Sequence, residues 1–192
     1  MTLKSPKRAI VLALITLLLA SLACNLPGGA RPPQNVTPIP ITTESVEELE
    51  RNLQEAAQQA TETGQVRMVI TEAQLTSMVA FELEEVQEPR ITEPQVFLRD
   101  GQMQLYGNVQ QSGITAPLKV FMTISADEQG KPRYEITDAT AGPFPLPQSM
   151  LNQMTTRLDQ VISEQMSSGQ TSLFIDDITI ANGEMIIEGH RI

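Results

Sequence analysis

Few side chains in this 192-residue chain could attack a substrate, carry a proton or hold a metal, and their spacing keeps them apart. His190 is the only histidine, two residues from the C-terminus, and is expected to be exposed. Asp176 and Asp177 are adjacent on a predicted strand, which sends them to opposite faces and makes them a poor metal pair. A solvated edge charge is the simpler reading. Glu84-Glu85 and the Glu44–Glu50 run read as helix surface. There is no Gly-x-Ser-x-Gly elbow and no glycine-rich phosphate loop. A carboxylate pair assembled across the fold, as in glycosidases, stays open. On these residues the expectation is a non-enzyme without metal or cofactor. The remaining reactive group is the thiol of Cys24, which has no second cysteine to pair with.

Cys24 also has the most specific surroundings. Lys4, Lys7 and Arg8 precede an apolar run, Ala9 to Ala23, broken only by Thr16 and Ser21. That is the order of an export signal. Fifteen helical residues reach only about 22 Å at ~1.5 Å each, short of the ~30 Å hydrocarbon core, so a permanent span is the weaker reading. The run ends Ala20-Ser21-Leu22-Ala23-Cys24, which resembles the lipobox of bacterial lipoproteins. The resemblance implies that residues 1–23 are removed, that the Cys24 thiol becomes a thioether to diacylglycerol, and that the new amino terminus is acylated, with palmitate for example. The alternative is a plain secretory signal cut at an Ala-x-Ala-like site, leaving a stray thiol. Lipidation places the protein on the extracytoplasmic face of a cell membrane.

Residues 1–23 hold three of the 13 basic residues and none of the 23 acidic ones, so the remaining 169 residues carry ten cations against 23 anions, net −13. Such a surface repels nucleic acid and anionic headgroups. Anchoring would fall to the lipid on Cys24. Tryptophan is absent and aromatics are few, which argues against stacking grooves.

Residues 24–43, with five prolines and Gly28-Gly29, read as the lipidated cysteine and a disordered tether, reaching ~55–60 Å at ~3.1 Å per residue. Asn35-Val36-Thr37 matches a glycosylation acceptor by chance. Residues 44–63 form an acidic helix, opened by a capping box at Ser45–Glu48, with a thin stripe of Val46, Leu49, Leu53, Ala56 and Ala60. It is expected to dock lightly or act as a stalk. Residues 64–192 form one domain. Val66, Met68 and Ile70 alternate as a strand. Thr71 and Gln74 cap a helix to about Glu84 whose buried face would be Ala73, Leu75, Met78, Val79 and Phe81 or Leu83. From Pro94 the chain is β: a hairpin about Asp100-Gly101, a long strand burying Leu118, Val120, Met122 and Ile124, a turn over Asp127–Pro132, and a strand with Tyr134 and Ile136. Pro143, Pro145 and Pro147 break the sheet. A second helix follows, with Met150, Leu151, Met154, Leu158, Val161, Ile162 and Met166 on one side, and then a hairpin about Asn182-Gly183.

Val96–Gly107 aligns without gaps on Ile178–Gly189, 82 positions later. Either both follow the general hairpin pattern, or the domain holds two helix-then-hairpin units, Thr71–Val109 and Ser149–Gly189.

The order from Met68-Val-Ile-Thr-Glu-Ala-Gln-Leu75 through the Asp-Gly hairpin, the alternating strands, Gly142-Pro-Phe-Pro-Leu-Pro147, the long helix and the last hairpin resembles the LmeA-like phospholipid-binding proteins. It is also similar to the YpmS-like group of small membrane-anchored proteins. The resemblance covers about Gln65 to Gly189 and shares no catalytic signature. It implies a relation to tubular lipid-binding (TULIP) folds: an α+β domain in which a curved antiparallel sheet wraps a long amphipathic helix, with acyl chains between them. The ligand would be a phospholipid or fatty acid held by Met103, Leu105, Val120, Met122, Ile124, Leu151, Met154, Leu158 and Ile162. Methionine suits an irregular guest; the same residues equally make a packed core. The competing expectation is a ligand-free cell-envelope scaffold that recognises protein.

Overall fold

The structure, a computed structural model, describes residues 37–84, 90–111, 113–156 and 173–192. In order these form α1 (Thr43–Thr63), β1 (Gln65–Thr71), α2 (Glu72–Glu84), β2 (Arg90–Arg99), β3 (Gln102–Gln111), β4 (Ile114–Ala126), β5 (Pro132–Ala141), β6 (Phe144–Pro145), α3 (148–156), β7 (Leu173–Ala181) and β8 (Glu184–Arg191). The α+β class is as expected, but the strands divide between two antiparallel sheets, ordered β1-β8-β7 and β2-β3-β4-β5-β6. Short turns keep β2 to β6 side by side, whereas β1 is claimed by the end of the chain, running from Gln65 opposite His190 to Thr71 opposite Glu184. Leu158, Val161, Ile162 and Met166, the far half of the expected long helix, lie outside the described residues. The prolines do not end the sheet at once: Phe144-Pro145 adds a two-residue edge strand against Thr140-Ala141.

Both hairpins turn as their sequences require. Asp100 and Gly101 have φ of 54° and 72°, Asn182 and Gly183 54° and 87°, the left-handed pair of a type I′ turn. They share a second device. β2 bulges between Thr92 and Gln95, β7 between Ile175 and Asp177. Opposite each bulge stands a glycine: a Cβ on Gly107 would lie 3.2 Å from the Thr92 carbonyl oxygen, and one on Gly189 2.4 Å from that of Phe174. Thr92 and Phe174, like Gly107 and Gly189, are 82 positions apart. A matched bulge and glycine are not needed to make a hairpin, so they favour the repeat over a general pattern.

Thr71 and Gln74 form the expected reciprocal cap, each side chain bonding the other's backbone N–H. α1 starts earlier than expected. Its N-cap is Thr42, whose hydroxyl accepts the Ser45 N–H at 3.2 Å, and the Thr42 N–H in turn donates to Ser77 Oγ at 3.1 Å. A tertiary contact therefore selects Thr42 over Ser45 as cap. Three residues earlier, the Gln95 side-chain amide accepts the Ile39 N–H at 2.7 Å and donates to the Ile39 carbonyl at 3.1 Å. The far end of the expected tether is thus fastened to β2.

α2 also departs from its expected pattern, because Gln74, Thr76 and Ser77 are buried with Leu75 and Ala80, while Met78 and Val79 are only partly covered. Ser77 accepts the Thr42 N–H and Gln74 the Thr71 N–H, while Thr76, with Glu72, serves the outer edge of β2. Val96 N–H donates to Thr76 Oγ1 at 3.0 Å, Leu98 N–H to Glu72 Oε1 at 2.7 Å, and the Leu98 carbonyl accepts Gly183 N–H at 3.1 Å. An edge strand that would otherwise expose a row of donors and acceptors is closed by a helix and a turn.

Leu49, Ile70, Leu75, Val96, Leu98, Ile180 and Met185 form the main core, where α1, α2 and both sheets meet. Leu118, Val120, Met122, Ile136 and Ala139 of the five-stranded sheet form a second cluster with Leu151 of α3. Ala56 and Ala60 of α1 sit on Val66 in a third, smaller one.

Candidate apolar ligand site

The expected ligand wall is brought together, as packing. Val120, Met122 and Leu151 are buried in the second cluster, Met154 packs against it, and Met103, Leu105 and Ile124 lie where the first two clusters meet. Thr155 Oγ1 accepts the Ile136 N–H at 3.2 Å, pinning α3 to the sheet. None of the three cavities described below is lined by these residues. Leu158 and Ile162 lie outside the described residues.

Open space lies instead along the seam between α1 and β1. A cavity of about 200 Å3 is lined by Leu53, Ala56, Ala57 and Ala60 of α1 and by Val66, Met68, Leu173 and Ile187 of the three-stranded sheet. Its walls are apolar for a reason readable in the register. Val66, Met68 and Ile70 pair with Gly189, Ile187 and Met185, so they share one face, and α1 covers that face with alanine. Alanine methyls leave a gap that leucine would fill. Leu53, expected on the docking stripe, is 48% exposed and stands at the rim.

Two polar recesses adjoin the slot. One, of about 220 Å3, shares Ala56 and Met68 with it; the other, an open groove of about 550 Å3, shares Val66 and is lined by Arg67, Asp176, Glu188 and His190 among others. Arg67 Nε donates to Glu188 Oε1 at 3.1 Å, and His190 Nδ1 lies 2.9 Å from Asp176 Oδ2 with its ring stacked on Phe174 at 5.1 Å. His190 is therefore half-exposed and oriented, where the sequence suggested only a free end. The alternation argument fails at Asp176-Asp177. The bulge inserts an extra residue there, and both carboxylates find partners on the outward face, Asp176 with His190 and Asp177 with Thr179 at 2.6 Å. Among the described residues no group of three acidic, histidine or cysteine side chains could hold a metal ion.

The other face of the five-stranded sheet carries an edge-to-face aromatic row, Phe97, Tyr106 and Phe121, with centroids 5.8 and 5.9 Å apart. Burial pushes the Tyr106 phenol above its ordinary value, and the charge of Asp138 adds to the shift. The folded state then holds its proton longer than the unfolded chain does. The contribution is intact below pH ~10 and is lost as pH rises through the raised value. In a Tyr134→Phe chain, where Tyr106 is the last tyrosine, phenolate absorbance should appear only above pH ~10, with the unfolding free energy falling over the same interval. An ordinary midpoint would contradict the burial.

The Ala56-Ala57 and Ala60 spacing was the one signal in the sequence for the slot, and it reads as weak docking until β1 and β8 are known to lie beneath it. No family model matches the chain, and no characterised protein or solved structure was found to be similar to it.

Proposed function

We propose that this chain is a membrane-tethered, extracytoplasmic lipoprotein, lipidated on Cys24, whose domain binds the apolar part of a lipid without catalysing a reaction. The observation that carries the binding half is the apolar slot between α1 and the three-stranded sheet. At about 200 Å3 it is smaller than the ~300–1,000 Å3 of typical ligand sites, so it suits one acyl segment, with the polar remainder in the groove beside Arg67 and His190. The resemblance to LmeA-like proteins supports the ligand class, a phospholipid or fatty acid. The helix that matters is then α1, with the curved wrap of sheet on α3 serving as packed support.

Native mass spectrometry of the full chain, extracted from membranes, is the test, and α1 must be present because it forms a wall. The expected result is a stoichiometric lipid beyond the covalent anchor. Ala57 is exposed and lines the slot, so Ala57→Trp should block it, lowering bound lipid about tenfold while changing stability by less than ~0.5 kcal/mol. A mass showing the anchor alone, with no uptake of fluorescent fatty acid, sinks the binding half. That outcome would favour a ligand-free envelope scaffold, a reading supported by the closed packing of Leu151 on the sheet.

A further inference from the structure

One end of the five-stranded sheet differs chemically from the rest of the molecule. Gly101 to Leu118 and Ala139 to Thr156 are each eighteen residues without a single charge, in a chain whose net charge is −10. The structure brings the two stretches together. Gly142 N–H donates to the Pro117 carbonyl at 2.7 Å, and a Cβ on Gly142 would lie 3.7 Å from that of Ala116. Ile114 follows the β3–β4 turn, Phe144 the β5–β6 turn, and each is 72% exposed; Met150, at the start of α3, is 46% exposed.

These side chains continue a buried face. Leu118 pairs with Ala141, which pairs with Phe144, and Ile114 and Ala116 alternate in step with Leu118, so all lie on the side that Leu151 covers further along. The apolar face runs past its cover and ends at two turn tips. The described charges near this end are of both signs: Arg90, opposite Gln110, and Glu93 on β2, and Lys119, next to Leu118 and paired with Asp138. The turns at the opposite end carry Asp100, Asp127, Glu128 and Lys131.

We infer that this end is a membrane-contacting tip, with Ile114, Phe144 and Met150 entering the interfacial region of the bilayer that holds the anchor. The inference rests on the anchored reading of Cys24. Large exposed apolar side chains mark interaction sites, and two uncharged stretches that meet at one end of an acidic molecule weaken the repulsion from anionic headgroups there. Reach permits it. From Cys24 to Ile39 is fifteen residues, up to ~46 Å at ~3.1 Å each, while the fastening point at Gln95 lies about five strand residues, ~17 Å, from that end.

The test uses the full lipidated chain, whose own cysteine is consumed, with one environment-sensitive fluorophore at Pro143→Cys or, as control, at Glu128→Cys. In phosphatidylcholine–phosphatidylglycerol vesicles the expected result is blue-shifted emission at 143, quenched by shallow nitroxide lipids, with none at 128. Ile114→Ser with Phe144→Ser, both at exposed positions, should abolish the shift without loss of flotation. Flotation with no shift at 143 overturns the tip and leaves the anchor standing. Failure to float overturns the anchor; the same chain is then read in a large excess of vesicles, where unshifted emission overturns the tip too and shifted emission supports it. A shift at 143 without vesicles that grows with protein concentration means a second copy occupies the surface, and also overturns the tip.

Discussion

Replacing Glu72 by Ala should lower the unfolding free energy by about 2–3 kcal/mol in urea denaturation, although Glu72 lies off the buried face expected for its helix. Its carboxylate accepts the Leu98 N–H at 2.7 Å and lies 2.6 Å from Arg99 Nη1. Leu98 is fully buried, so removing the acceptor strands a donor that water cannot reach, at a cost of about 1–3 kcal/mol. The ion pair adds little, because the Arg99 side chain is 42% exposed, and exposed pairs contribute about 0–1 kcal/mol. Arg99→Ala is therefore the control, and should cost under ~1 kcal/mol. Thr76→Val, nearly isosteric, strands the Val96 N–H and should fall between the two, near 1–2 kcal/mol. If Glu72→Ala and Arg99→Ala cost the same, the ion pair is what matters and the closed edge is not.

The same residues show where reading a sequence succeeds and where it stops. Val66, Met68 and Ile70, the Thr71–Gln74 cap and the Asp-Gly and Asn-Gly turns were legible because each depends on neighbours within a few positions. The burial of Thr76 and the tie of Glu72 to β2 were not. Periodicity assumes that the buried side of a helix is apolar, whereas this side satisfies the backbone of an edge strand some twenty residues on. Thr42 won the cap over Ser45 through Ser77, 35 residues away. Asp176 broke alternation because a bulge adds a residue, and the one sign of it was Gly189 on the facing strand. The partition into two sheets turns on β1 meeting β8 across most of the domain, which no local pattern encodes. For that reason the apolar wall was expected against the second long helix, while the open slot lies under α1. Ala56, Ala57 and Ala60 were visible throughout; what they face was not.

Cys24→Ser should abolish palmitate incorporation outright and move the protein from the membrane to the soluble fraction. The size of the effect follows from what remains. Each buried methylene contributes about 0.8 kcal/mol, so two or three acyl chains hold a domain durably, and no helix among the described residues is long and apolar enough to cross a membrane. With residues 1–23 removed and no lipid in place, attachment on this account would rest on Ile114, Phe144 and Met150. Three side chains set against the repulsion of an acidic body from anionic headgroups give contact without retention. The variant should therefore leave the membrane at ordinary salt and show a weak, reversible return as salt screens the repulsion over a Debye length of about 8 Å at 0.15 M. Continued palmitate labelling in Cys24→Ser, or full retention in the membrane fraction after the signal is shown to be cleaved, would remove the anchor from the account. The slot under α1 would then have to be explained as the site of a freely diffusing carrier, and the charge-free tip as its only means of meeting a bilayer.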